Sequence, residues 1–227
     1  IEYLKSAYRA IAIFLDKENW KFLYGKMFSL YRSEENVFSF LEEQYEVEKN
    51  YLINMYRNHT PEIHLFNNVL EILESIKAKG GKLGIITDGR SNTQLAKIKA
   101  LGIEKLFDEI IISETIGSEK PSVLNYKSIE KALKGSEYYY IADNFKKDFV
   151  TPNAIGWKTI GLTDNGLNIH RNTHLYCDEL HKPQLIIESF KENLSDINGV
   201  QLSKIDIKND NLSTYHWPGN VRELRNL

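Results

Sequence analysis

The chain has 227 residues, enough to bury a full core as one α/β domain with a smaller unit attached. Its 29 basic and 31 acidic residues leave a net charge of −2, which offers no electrostatic case for binding nucleic acid. A single cysteine excludes an intrachain disulfide and fits a reducing, cytoplasmic compartment; no apolar run suggests a membrane span or a signal peptide.

Residues 1–64 read as helices. Tyr8, Ile11, Phe14 and Leu15 recur at helical spacing, as do Trp20, Leu23, Tyr24, Met27 and Phe28, and these stripes are expected to form the core of a helical bundle. Thr60-Pro61 marks a return to extended chain, because the residue before proline is pushed out of the helical region. Phe66 to Lys79 predicts an amphipathic helix stopped by Gly80-Gly81. Lys82 to Thr87 is a buried-strand pattern that runs into the turn Asp88-Gly89. Glu109 to Ser113 is a second strand, followed by a loop with Glu119-Lys120-Pro121 and a helix from Ser122 to Leu133. The run Tyr-Tyr-Ile-Ala then leads into Asp143, with Asp148 about one helical turn later. Beyond Leu162 the pattern loosens, with weak strand hints at 184–188 and 200–207. The divisions expected are 1–64, 65–192 and 193–227.

Strand ends thus deliver a threonine, a lysine and a pair of aspartates to one edge of one sheet. In open parallel sheets ligands sit beyond the carboxyl ends of the strands, so these groups are placed to form a site. Each meets a need of phosphoryl transfer. Thr87, with the backbone of Asp88 and Gly89, can donate to phosphoryl oxygens, and Lys120 can offset negative charge. Asp143 and Asp148 are hard oxygen donors suited to Mg²⁺. An aspartate at a strand end is also an ordinary helix N-cap, so the acidic pair alone would prove little. Two other clusters compete for attention. His170, His174, Cys177 and His181 have zinc-binding side chains, but they lie too close in sequence to converge without tight turns. Glu42-Glu43 and Lys146-Lys147 read as solvated faces, although the lysines lie near enough to the site to attract phosphate.

The order Thr87, Lys120, Asp143/Asp148 resembles the motif series of the haloacid dehalogenase (HAD) superfamily of hydrolases, and Leu101-Gly102-Ile103 and Phe107-Asp108 resemble its connecting text. The resemblance covers about Ile1 to Leu162. It implies a Rossmann-like three-layer parallel sheet with a helical cap at 1–64. It also implies a Mg²⁺-dependent phosphatase acting on a small phosphorylated metabolite through an aspartyl-phosphate. Thr87 and Lys120 would be catalytic, Thr87, Asp88, Gly89 and Lys120 would bind phosphate, and Asp143 and Asp148 would hold the metal. Dehalogenation fits less well, since a metal-free dehalogenase has little use for the acidic pair.

The family's nucleophile is the first aspartate of an Asp-x-Asp motif on an N-terminal strand, and no such strand precedes Ile1. The expectation is a chain cut just after that strand, inactive by itself, with the intact parent as the enzyme. Residues 212–227, with Trp217-Pro218-Gly219-Asn220-Val221-Arg222, resemble a signature of bacterial enhancer-binding AAA+ transcription activators. No phosphate loop accompanies them, so no ATPase function is implied. The competing reading is a non-catalytic HAD-like regulatory or interaction module fused to an activator fragment. Neither nucleic acid nor membrane is expected as a partner, and the oligomeric state is left open.

Overall fold

The computed structural model describes residues 1–164, 170, 173–176, 178–188 and 190. The activator-like tail and Cys177 lie outside the described residues, as does the strand hint at 200–207.

Four helices open the chain: α1 (Glu2–Leu15), α2 (Trp20–Arg32), α3 (Val37–Tyr45) and α4 (Lys49–Asn58). Their apolar stripes form a core as expected, with Tyr8, Ile11, Leu23, Met27, Leu41 and Leu52 buried together. Phe14 departs from the stripe and stays half exposed at 51%, its ring against Tyr51. This helical unit shares its core with the rest of the molecule, for Ile85, Ile98 and Ile103 belong to the same cluster.

Beyond the Thr60-Pro61 link the chain alternates helix and strand. The order is α5 (Val69–Ala78), β1 (Gly84–Thr87), α6 (Ser91–Ala100), β2 (Glu109–Ile112), α7 (Ser113–Ile116) and α8 (Val123–Leu133). It continues through β3 (Tyr139–Ala142), α9 (Val150–Ala154), β4 (Lys158–Leu162) and β5 (Leu185–Ile187). Helix α5 ends where Gly80 adopts φ +80, a conformation costly for side-chain-bearing residues, while Gly81 N–H donates to Ile76 O. Helix α8 starts at Ser122, whose side chain accepts from Leu124 N–H.

Every strand pair is parallel, as expected, but the strands form two sheets rather than one: β1-β2 and β3-β4-β5. The break falls between the Thr87 strand and the Asp143 strand. The hint at 184–188 does become a strand, yet β5 joins the far side of β4 and leaves that break unfilled. Helix α8 spans it instead. Tyr126, Ile129 and Leu133 pack at once on Ile86 and Ile111 of the first sheet and on Tyr140 and Ala142 of the second. Tyr126 and Tyr138 then close around Trp157, Tyr138 stacked on the indole at 4.8 Å. Among the described residues no helix is long and apolar enough to cross a membrane.

Candidate functional site at the strand ends

Thr87 is the last residue of β1 and is buried. Its hydroxyl donates to Gln94 Oε1 at 3.2 Å, and Gln94 Nε2 donates to the carbonyl of Asp88 at 3.1 Å. Gly89 follows at φ +129, where a side chain would strain the turn, and its N–H donates to Ser113 Oγ at 2.9 Å. Helix α6 begins immediately after, with Ser91 N–H capped by Glu114 Oε2 at 2.8 Å. That hydrogen bond holds the Glu114 carboxyl below its ordinary range. The loops after β1 and β2 are therefore laced together.

The Asp88 carboxylate joins the two sheets. One oxygen accepts from the backbone N–H of Lys120 at 3.1 Å, and the other meets Lys147 Nζ at 2.5 Å. Lys120 reaches across to the loop after β3, where its Nζ lies 2.9 Å from Asp148 Oδ1, both side chains fully buried. Asp148 Oδ2 accepts from Asn144 N–H at 3.0 Å, and Tyr140 Oη approaches Oδ1 at 3.5 Å. Asp143 lies next to Asn144 at the end of β3, 2% exposed. The structure thus gathers Thr87, Asp88, Gly89, Lys120, Asp143 and Asp148 into one locus built by the carboxyl ends of β1, β2 and β3.

Their surroundings differ. Mg²⁺ takes one or two carboxylates and fills the remaining positions with waters and phosphate oxygens. Asp143 fits this requirement as a buried hard donor at a strand end. Asp148, the second acid of the expected metal pair, meets Lys120 Nζ and accepts from the Asn144 amide.

Lys147, which reads as surface in the sequence, is half-buried against Asp88. Gln94 and Ser113 are further residues that sequence reasoning missed. The available signal for Gln94 was a polar side chain on the buried face of an amphipathic helix, beside Ile98. In the zinc alternative, of which Cys177 lies outside the described residues, His181 Nδ1 contacts Asp178 Oδ1 at 2.7 Å and His174 is exposed. Among the described residues no three His, Cys, Asp or Glu side chains converge.

Known proteins resemble this chain over part of its length. Glyceraldehyde 3-phosphate phosphatase from Methanocaldococcus jannaschii is 35% identical over 99 residues, 43% of this chain and 43% of that protein. Pyrophosphatase PpaX from Bacillus pumilus is 31% identical over 121 residues, 49% of this chain and 54% of its own length. The chain spans about half the length of the curated relatives it matches. Among solved structures, the HAD-hydrolase YfnB from Bacillus subtilis bound to magnesium superposes with a TM-score of 0.55 at 21% identity, covering 83% of this chain and 90% of that one. A Thermotoga maritima protein assigned as a β-phosphoglucomutase gives 0.56 at 19% identity, covering 80% and 84%. These two likenesses establish the fold. The model of the haloacid dehalogenase-like hydrolases matches residues 27–162, more than half of the sequence, and the chain belongs to that family.

Proposed function

We propose that this chain carries the phosphate- and Mg²⁺-binding part of a phosphatase for small phosphorylated metabolites. The observation that carries this reading is the convergence of Thr87, Lys120 and Asp143 on one strand-end locus, held by the Asp88–Lys120, Asp88–Lys147 and Lys120–Asp148 contacts. Phosphatases of glyceraldehyde 3-phosphate and of phosphoglycolate among its relatives support the substrate class.

In this reading Asp143 holds Mg²⁺, which when bound supplies charge to polarise a phosphoryl oxygen. Lys120 is fixed by Asp148, so its ammonium needs no reorganisation as negative charge moves during transfer. Thr87 and the amides of its turn orient the phosphoryl group. Lys147 adds a second cation at the rim, held by Asp88. The attacking carboxylate would belong to an Asp-x-Asp pair, and no such pair occurs in these 227 residues.

Two measurements test the reading. Calorimetric titration of the purified chain with Mg²⁺ should give saturable binding that Asp143→Asn abolishes; equal binding by both forms would remove Asp143 from the site. The chain alone should turn over no p-nitrophenyl phosphate, and robust Mg²⁺-dependent hydrolysis by contaminant-free protein would overturn the division of labour.

A further inference from the structure

Asp88 places a carboxylate at a site whose proposed ligand is an anion. It follows Thr87 directly and is 5% exposed. The turn that carries it is held from two sides, its carbonyl accepting from Gln94 Nε2 and the next N–H, that of Gly89, donating to Ser113 Oγ. One carboxylate oxygen accepts from the buried backbone N–H of Lys120 at 3.1 Å. The side chain therefore cannot turn out to solvent without leaving that N–H unsatisfied. Its negative charge stays within one residue of the turn amides that, in the reading above, orient the phosphoryl group.

The other carboxylate oxygen meets Lys147 Nζ at 2.5 Å. Lys147 comes from the loop after β3, 59 positions away, and its side chain keeps 26% exposure against 7% for that of Asp88. The lysine thus reaches in from the rim to a carboxylate that water barely touches. Of the charged side chains gathered at the strand ends, Asp88, Asp143 and Asp148 stand against Lys120 and Lys147. Lys120 Nζ has Asp148 at 2.9 Å, and Lys147 is the cation in contact with the Asp88 carboxylate.

We propose that Lys147 is a positioning residue that acts on the phosphoryl ligand through Asp88: its ammonium holds and cancels the carboxylate beside the phosphoryl subsite, and without it that carboxylate repels the anion. The proposal rests on the reading of the Thr87 turn as the phosphoryl subsite. Charges a few ångströms apart near a protein surface interact by well over RT, so an uncancelled carboxylate at this range lowers anion affinity by about tenfold. The converse holds for Asp88. Removing its charge while keeping an acceptor for the Lys120 N–H leaves the Lys147 ammonium uncancelled, and anion affinity rises. A pair that merely fastened the two loops together would instead give a loss when broken from either side.

The experiment is a calorimetric titration of inorganic phosphate into the full chain with Mg²⁺, at one pH near neutrality. Lys147→Met should bind phosphate about tenfold more weakly than the unmodified chain, and Lys147→Arg, which keeps the charge, within about twofold of it. Asp88→Asn, whose amide oxygen still accepts from the Lys120 N–H, should bind several-fold more tightly. In the double variant, Asp88→Asn with Lys147→Met, the two effects should cancel and return the affinity to within about threefold of the unmodified chain. A double variant as weak as Lys147→Met means that the lysine touches phosphate itself and overturns the proposal, as does unchanged binding by Lys147→Met; both results leave the site reading intact. Lys147→Met strands a nearly buried carboxylate and can fail to fold. Asp88→Asn strands none and then decides alone, tighter binding supporting the proposal and equal or weaker binding overturning it. No saturable phosphate binding by the unmodified chain overturns the site reading and the proposal with it.

Discussion

At the scale of single residues, Lys120 and Asp148 form an ion pair with both side chains fully buried. At 2.9 Å each charge offsets much of the other's desolvation. Lys120→Met should destabilise the fold by about 3–5 kcal/mol, since it strands a buried carboxylate, and Asp148→Leu should do the same for the ammonium. The double variant should lose clearly less than the sum of the two, because it buries no lone charge. Urea melts of the four species form the cycle that measures this coupling, and additive losses would mean that solvent already reaches the pair.

At the scale of elements, β4 is the middle strand of its sheet and has little room on one face. A Cβ at Gly161 would meet Pro183 Cγ at 2.6 Å and Phe145 Cζ at 3.3 Å, and a proline ring cannot swing away. Gly161→Ala should therefore cost about 1–3 kcal/mol, read as a lower urea midpoint with an unchanged slope. The link after α4 carries a different sensitivity. His59 Nδ1 lies 2.9 Å from Tyr56 O and Nε2 lies 3.1 Å from Ser6 Oγ, with the ring edge-on to Tyr3. Burial pushes its pKa below the ordinary 6.5, and the nearby Lys97 charge adds to that, against the opposing Tyr56 hydrogen bond. The unfolded chain then binds the proton more readily than the folded one. This contribution is complete above pH 6.5 and is lost as pH falls below it. The urea midpoint should drop between about pH 7 and about pH 5.5, and His59→Gln should flatten that slope. An identical pH dependence in the variant would place the sensitivity elsewhere.

At the scale of the whole molecule, the two sheets are joined by α8 and by the ion pairs of the site rather than by backbone ladders. Among the described residues neither β1 nor β3 has a strand partner on its second side. Unpaired edges offer donors and acceptors to other chains. Light scattering should detect concentration-dependent association, and a monomer at all concentrations would mean that these edges are shielded. The weak point of the sheet system also coincides with the site. Ile129→Ala, which removes packing from the bridging helix, should cost about 2–5 kcal/mol and weaken phosphate and Mg²⁺ binding together.

Apolar runs and punctuation in the sequence determined the strands ending at Thr87 and before Asp143, the helix from Ser122 and the stop at Gly80-Gly81, because backbone propensity and turn chemistry act over a few residues. The order of Thr87, Lys120 and the acidic pair was legible for the same reason: each stands next to a recognisable strand end. Tertiary structure alone decided which of those groups meet. Asp148 meets Lys120, 28 positions earlier in the chain, a contact that no local pattern announces. Lys147 reads as a surface charge until Asp88, 59 residues away, is brought to it. Gln94 likewise reaches the Asp88 carbonyl only in the folded chain. The split between β1-β2 and β3-β4-β5 was equally hidden, because strand propensity is a local property and strand order depends on contacts between distant segments.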